Sequence, residues 1–305
     1  MKDVFIDHLC YSLGEEMNSV EDAAAKGRTR SSASVLREAG FQKHHVSRSG
    51  TTSYTLAKNA VLQIQERLEE IDLIIYSTCV PINGSVGSEE AFRETRDVKH
   101  LMDFPASHLQ SDFKLERAVV VGLSQQACTG MLGSLTLARM FLSCEPTAQR
   151  VLCVTADRFP DGALYEQSYN LISDGAAACI VSTEPQGFRV VVGHGVTNGA
   201  MAQASDDETV GSYFNYAYRV IQETLAKAHL QMKDIRWLVP QNMNVKAWQI
   251  LARLLQMDFE HVYFRTIGEV AHVISGDNIV NLKQLAESGQ VQPGERSSFL
   301  WQDTG

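Results

Sequence analysis

The sequence predicts an α/β protein made of two similar halves, and three observations lead to this class. Residues 52–68 carry apolar side chains at helical spacing and lead into IDLIIYSTCVP, residues 71–81, an apolar run that suits a strand buried on both faces. Residues 213–230 and the run WLVP, residues 237–240, repeat that order of helix, strand and proline. Alternation of helix and strand in two comparable stretches predicts sheets covered by helices.

The remaining elements of the first half follow from apolar runs and turn residues in chain order. We expect strands at residues 4–13, 118–121 and 150–157, and a strand of small residues after the turn SDG, within residues 173–182. Apolar residues at helical spacing from residue 129 onwards predict a buried helix. No low-complexity linker separates the halves, so we expect one packed body.

Composition narrows the class of protein. The 305 residues are 44% hydrophobic and 21% charged, which is typical of a globular chain. The net charge of −9 argues against a nucleic-acid binder, since phosphate affinity needs clustered Lys and Arg. The longest apolar runs are shorter than the ~20 residues of a membrane span. Six cysteines without a CxxC pair, and an N-terminus unlike a signal peptide, predict free thiols, no metal site and a cytoplasmic location.

Cys128 is the candidate nucleophile. It lies between a predicted strand and the start of the predicted buried helix, where free backbone N–H groups and the helix dipole stabilise a thiolate. Its own N–H is placed to hydrogen-bond an oxyanion. The alternative is a buried structural cysteine, and that is our interpretation of the other five, which lie in or beside apolar runs.

The residues around Cys128 resemble the ketoacyl-ACP synthase III branch of the thiolase-like condensing enzymes. ACTG, residues 127–130, is similar to the Ala-Cys-small-Gly segment of that family, and SDGA, residues 173–176, to its Gly-Asp-Gly-Ala turn, with Ser in place of the first Gly. AGFQKHHV, residues 39–46, and DLII, residues 72–75, resemble two further family segments. The resemblance implies a duplicated five-layer αβαβα thiolase-like fold, with mixed five-stranded sheets and the active site where the halves meet.

The resemblance places the nucleophile in an N-terminal half, residues 1–185, and the other catalytic groups in a C-terminal half, residues 186–305. The family has a His in a Pro-His-Gln-Ala-Asn segment, and here PQNMN puts Gln241 in that position. For the family's later Asn, both Gly268-Glu269 and Ala271-His272 can match, and the spacing favours His272. The resemblance therefore predicts a Cys128–His272 pair, with an amide from Gln241 or Asn242 beside it.

Three further residues complete the predicted site. Asp277 follows His272 and either orients its imidazole or caps the next helix; both roles remain open at this point. Gly305 falls where the family has a glycine-rich loop whose N–H completes the oxyanion hole with Cys128. The family's adenine-stacking Trp has no counterpart here, so we predict Arg37 as the contact to a coenzyme A phosphate and prefer a carrier protein as donor.

The resemblance implies an acyltransferase with a covalent acyl-Cys128 intermediate and no tightly bound cofactor. The acyl group comes from acyl carrier protein phosphopantetheine or coenzyme A and passes to the hydroxyl or amine of a small acceptor in secondary metabolism, with His272 as general base. One alternative is decarboxylative Claisen condensation, in which two donors stabilise an enolate. A non-catalytic partner subunit is another, against which the intact Cys128 argues. The family is typically a homodimer, and the small-residue strand around Cys179 is compatible with one.

Overall fold

The computed structural model describes residues 2–291 and 297–299, and within them it has twelve strands and ten α-helices. The strands are β1 (Phe5–Leu13), β2 (Glu16–Ser19), β3 (Lys43–Val46), β4 (Leu73–Ser77), β5 (Val119–Leu123), β6 (Arg150–Asp157), β7 (Glu166–Gln167), β8 (Asn170–Leu171), β9 (Gly175–Ser182), β10 (Phe188–Arg189), β11 (Trp237–Val239) and β12 (Ser297–Phe299). The helices are α1 (Val20–Ala25), α2 (Ala33–Glu38), α3 (Ser53–Leu62), α4 (Glu89–Thr95), α5 (Pro105–Asp112), α6 (Gly130–Cys144), α7 (Asp206–Ala228), α8 (Val245–Leu254), α9 (Ile267–Val270) and α10 (Asp277–Glu287).

The main sheet has six strands in the order β10-β1-β9-β6-β4-β5. Strands β6, β4 and β5 are parallel, and β9 runs antiparallel between β6 and β1. The apolar residues of β4, β6 and β9 are buried because helices cover both faces, as the continuous apolar runs predict, whereas β5 at the edge is partly exposed. The carboxyl ends of parallel strands meet at one edge of a sheet, so the segments that follow β4, β5 and β6 lie close together there.

Helices fill the space on both sides of this sheet. Apolar residues of α3 and α5 pack against one face. The other face contacts α6 and Ile279 of α10. Helix α10 also contacts β11, and α7 and α8 build a further core around Trp248. The order of layers is therefore helix, sheet, helix, strand pair and helix, as in the predicted thiolase-like α/β class.

The fold class is confirmed, and the second half differs from prediction in its sheet. Its described residues form a parallel pair, β11 and β12, with an isolated bridge from Leu238 to Val262, where five strands were expected. Much of the described chain between these strands forms loops or short 3₁₀ turns, so it adds no further strand pairing to this sheet. Strand β10 lies beyond residue 185 and pairs with β1, so the first sheet extends slightly past the predicted boundary.

One helical stretch of the described chain, Ala127–Cys144, is long and apolar enough by hydropathy to cross a bilayer. Half of it is buried within the protein, where Met131, Leu135 and Ala138 pack against the sheet. This burial is usual for the core helix of a globular fold.

Candidate active site

Cys128 lies in a 3₁₀ turn, Ala127–Thr129, that joins the loop after β5 to the first turn of α6. The turn is tight: Ala127 has φ +41°, a conformation that L residues rarely adopt. The hydroxyl of Thr129 donates to the carbonyl of Gln126 at 2.5 Å and holds the bend. The local fold thus presents the cysteine at the mouth of the helix, as predicted.

Two donors from the second half hold this turn. The Gln241 side-chain amide donates to the carbonyl of Cys128 at 2.6 Å. The hydroxyl of Ser275 donates to the carbonyl of Ala127 at 3.0 Å. The site is therefore built across the junction of the two halves, as the resemblance implies.

His272 and Asp277 form a buried pair next to this turn. Nδ1 of His272 lies 2.5 Å from Oδ2 of Asp277. That carboxylate also accepts the N–H of Asn242 at 2.7 Å and the N–H of Val273 at 2.6 Å. A carboxylate against Nδ1 requires the proton on that nitrogen, which leaves Nε2 to accept one. Asp277 therefore orients the imidazole; helix α10 has no side-chain cap.

Asn242 is part of the hydrogen-bond network behind the site. It is fully buried, and its amide nitrogen donates to the carbonyl of Ala271 at 2.9 Å. Its amide oxygen accepts from the hydroxyl of Thr266 at 2.8 Å and from the amide of Asn281 at 2.9 Å. No atom of this amide is exposed to a substrate, so the placement argues against the donor role predicted for Asn242. It holds the loop that carries His272.

Two residues that the sequence analysis did not assign to the site lie near Cys128. Cys79, just beyond β4, is close enough for its thiol to raise the pKa of the Cys128 thiol. Asp157, the last residue of β6, accepts the backbone N–H groups of Cys79 and Val80 at 3.0 and 2.9 Å and the hydroxyl of Thr78 at 2.6 Å. Burial raises the pKa of Asp157 despite these bonds.

The surroundings of Cys128 favour a neutral thiol. The neighbouring Cys79 thiol, burial of the sulfur, and the nearby carboxyl groups of Asp157 and Asp277 together raise the pKa of Cys128 well above its ordinary value of 9.0. These effects outweigh the helix dipole. The surroundings of Cys128 therefore oppose the thiolate that the sequence analysis expects at this helix start.

Of the predicted site residues, Gln241 donates to the turn of Cys128, and the loop of the His272–Asp277 pair reaches the same turn through Ser275. Asn242 is buried behind that loop. Arg37 lies on the exposed surface of α2, where its guanidinium binds Glu21 with two hydrogen bonds of 2.5 and 2.8 Å. Gly305 lies outside the described residues, so the oxyanion-hole role predicted for it stays a prediction. The sequence contained one indication that Cys79 lies near the site. Cys79 follows β4, and β4 pairs in parallel with β5, the strand that precedes Cys128.

Comparisons with known proteins agree with this geometry. A family model of 3-oxoacyl-[acyl-carrier-protein (ACP)] synthase III matches residues 124–199, and the model of its C-terminal domain matches residues 225–300. The β-ketoacyl-[acyl-carrier-protein] synthase III of Xylella fastidiosa (strain Temecula1) is 24% identical over 295 residues, covering 86% of this chain and 83% of that protein.

Solved structures show the same fold. The 3-oxoacyl-[acyl-carrier-protein] synthase III of Aquifex aeolicus VF5 superposes with a TM-score of 0.79 at 18% identity, covering 97% of this chain and 94% of that one. ChlB3, described as an acyltransferase, has a TM-score of 0.78 at 21% identity, covering 97% and 93%. Fold and comparisons together define the class of protein as thiolase-fold enzymes. The chain is a ketoacyl-ACP synthase III-like enzyme of that fold.

Proposed function

We propose that this enzyme transfers an acyl group from a thioester, through acyl-Cys128, to the hydroxyl or amine of a small acceptor. The observation that carries the proposal is the His272–Asp277 pair beside the turn of Cys128, in which Nδ1 is fixed and Nε2 is left to accept a proton. A cysteine thiol and an imidazole oriented by a carboxylate are the components of general-base nucleophilic catalysis.

The first half-reaction loads the enzyme. His272 takes the Cys128 proton as the sulfur attacks the thioester carbonyl, so no free thiolate needs to exist beforehand. Among the hydrogen bonds of the described residues none uses the Cys128 N–H, which leaves it to donate to the oxyanion. The intermediate then collapses, the donor thiolate leaves, and the imidazolium returns the proton to it.

The second half-reaction uses the same base. An acceptor hydroxyl or amine gives its proton to His272 while its oxygen or nitrogen attacks the acyl carbonyl. Cys128 leaves as the sulfur of a thiolate and recovers its proton from the imidazolium, so the site returns to its resting state. Asp277 stabilises the imidazolium in both steps, and it keeps its negative charge throughout.

Decarboxylative condensation is the second candidate, and one observation disfavours it. That reaction needs two donors on the enolate oxygen, and the Asn242 amide, which is fully buried, is not placed to be one of them. The Gln241 amide uses one of its two N–H groups on the Cys128 carbonyl. A non-catalytic partner subunit is disfavoured by the presence of nucleophile, base and orienting carboxylate together.

The donor we propose is a carrier-protein phosphopantetheine in preference to coenzyme A. The Arg37 guanidinium would have to leave Glu21 to bind a nucleotide phosphate. The name of ChlB3, an acyltransferase, indicates that this fold accommodates transfer chemistry. A cytoplasmic location and a role in secondary metabolism belong to the same proposal.

We also propose a homodimer, through a surface other than the one the sequence suggested. The small-residue strand around Cys179 is β9, which is fully buried between β1 and β6 and offers no surface. Strand β5, by contrast, ends the main sheet, and Val119 on it is 60% exposed. An apolar sheet edge of this kind is usually covered by a partner.

The test is intact-protein mass spectrometry after incubation with acyl-carrier and acyl-coenzyme A thioesters, followed by candidate alcohols, amines or malonyl-carrier. The wild type should gain the acyl mass and lose it to an alcohol or amine, without release of CO2. Cys128→Ala should gain none, and His272→Ala should load slowly and fail to transfer. Loading of Cys128→Ala rejects the nucleophile, and loss of CO2 with a condensed product supports condensation instead.

A further inference from the structure

Ala271, the residue before His272, has an unusual backbone conformation. Its φ is +57° and its ψ is −161°, a region that is almost restricted to glycine. Two other α-helices of the described chain, α4 and α7, end at residues with positive φ, but those residues, Arg96 and His229, are exposed and lie in the left-handed helical region. Ala271 is fully buried and lies outside that region. The chain that leads into the proposed base therefore carries backbone strain.

A second strained residue lies on the other side of the base. Ile274 has φ +49°, which is an outlier for a β-branched residue, and its side chain is also buried. The segment that places Nδ1 of His272 against Asp277 is thus bracketed by two strained residues. Conformations of this kind persist only where the surrounding contacts hold them.

Four hydrogen bonds hold the peptide groups on either side of this turn. The N–H of Ala271 donates to the carbonyl of Ile267 at 3.1 Å, and its carbonyl accepts from the side-chain amide of Asn242 at 2.9 Å. The N–H and the carbonyl of His272 pair with the main chain of residues 171–173 at 3.0 and 2.9 Å. Only the Asn242 bond comes from a side chain, so it is the one of the four that a single substitution can remove.

We propose that Asn242 is a positioning residue that acts through Ala271. Its amide holds the strained peptide and thereby fixes the direction in which the His272 side chain leaves the main chain. Without the amide, Ala271 relaxes to an ordinary conformation and Nδ1 of His272 moves away from Asp277. The inference rests on the proposed function, because it takes His272 as the base. It goes further by giving a buried amide a part in transfer that involves no contact with the substrate.

A glycine at position 271 separates backbone strain from ordinary packing. Glycine adopts the observed conformation without strain, so Ala271→Gly should not lower the melting temperature. Ala217→Gly is the matched control, because Ala217 is equally buried but lies inside the regular helix α7. Glycine is unfavourable there, and the control should melt about 2–4 °C lower. An equal decrease in both variants shows that Ala271 is not strained and overturns the proposal.

The main experiment measures transfer from acyl-Cys128 and, separately, the NMR signal of the proton that His272 Nδ1 shares with Asp277. Asn242→Ala should lose this signal and transfer about tenfold more slowly. Adding Ala271→Gly to that variant should restore both, since glycine keeps the observed conformation without the amide. Rescue by a substitution that makes no new contact is not expected if Asn242 contributes to stability alone.

Thr266→Val is the matched control at the other end of the same amide. The Thr266 hydroxyl donates to the amide oxygen of Asn242 at 2.8 Å, so this variant weakens the buried network and keeps the bond to Ala271. It should melt at a lower temperature and keep both the NMR signal and the transfer rate. Circular dichroism verifies that each variant is folded, and Asn242→Ser replaces Asn242→Ala if the latter does not fold.

The possible failures are distinguishable. An unchanged NMR signal in the folded Asn242 variant, or no rescue by Ala271→Gly, overturns the positioning role. Equal loss of transfer in Thr266→Val also overturns it, because the effect then follows from the network as a whole. Transfer by His272→Ala at the wild-type rate rejects the proposed function instead, while the NMR signal still reports how His272 is held.

Discussion

At the scale of single residues, the main finding is a nucleophile that rests with its proton. A helix N-terminus alone would favour the thiolate, but the neighbouring thiol of Cys79 and two carboxylates oppose it. The group that we propose to compensate is His272, whose Nε2 would take the Cys128 proton as the substrate is attacked. Reactivity of Cys128 therefore depends on an oriented base more than on a lowered pKa.

The pH dependence of labelling tests this conclusion. Because the Cys128 pKa is raised above 9.0, the rate of alkylation by iodoacetamide should increase about tenfold per pH unit from neutral pH and show no plateau below pH 9.0. Removing the neighbouring thiol in Cys79→Ala should lower the pKa of Cys128 and speed its labelling at neutral pH. The exposed Cys144, labelled in the same sample, serves as internal reference. A plateau near neutral pH would indicate a preformed thiolate–imidazolium pair.

At the scale of elements, a glycine at the start of β9 sets how closely the His272 loop approaches the sheet. A Cβ built on Gly175 would lie 2.5 Å from a methyl carbon of Val273 and 2.9 Å from the carbonyl of Ser12. Val273 adjoins His272, and the backbone of His272 pairs with Ile172. The SDGA segment, residues 173–176, is thus where the first half contacts the loop of the second half that carries His272.

Gly175→Ala should therefore displace that loop. Overpacking of this kind costs about 1–3 kcal/mol, and we expect a lower melting temperature and slower transfer from acyl-Cys128. Gly211→Ala is the control, because a Cβ there meets no atom within 4 Å and the position lies in exposed helix α7. The control should keep transfer at the wild-type rate and be slightly more stable. Equal transfer by both variants would show that Gly175 does not position the loop.

At the scale of the whole molecule, the apolar surface beside the active-site edge of the sheet stands out. Val119 on β5 is exposed, and in the segment between β4 and α5 Ile82 is 68%, Met102 61% and Phe104 53% exposed. A surface of this kind is typical of protein contacts. It continues from the open edge of β5, so a second copy of the chain can cover both together.

Light scattering coupled to size exclusion tests the homodimer. The wild type should have twice the 33.8 kDa chain mass, and Val119→Lys should have the chain mass, because a charge on the sheet edge opposes pairing. Ile250→Lys changes a residue of similar kind, 44% exposed on α8, and should remain dimeric. A monomeric wild type rejects the dimer, and loss of dimer in both variants rejects β5 as its contact.

The sequence predicts best those elements whose residues are buried on all sides. Strand β6 is found at the predicted residues because a continuous apolar run of this length suits a strand that is covered on both faces. Helix α7 begins earlier than the predicted residue 213, because Ser205 and Glu208 form a capping box that the apolar periodicity does not reveal. The Ser-x-x-Glu spacing was a readable signal for that start.

The candidate site was predictable in its nucleophile and its His–Asp pair, and less so in what surrounds them. The pair is five residues apart in one loop, so its contact is local in sequence. The contacts of Cys79, Gln241 and Asn242 join distant segments, and their roles depend on which neighbour each side chain reaches. Residue spacing does not predict these contacts, because they depend on which polar groups become buried and which hydrogen-bond partners are within reach after the chain has packed.

The sulfur and its proposed proton acceptor lie in different halves of one polypeptide. While the ribosome is still releasing the later residues, Cys128 lacks the imidazole that we propose as its base. On this proposal, acyl donors are not attacked until the distal segment has been synthesised and has docked. The proposed catalysis therefore requires the completely folded chain.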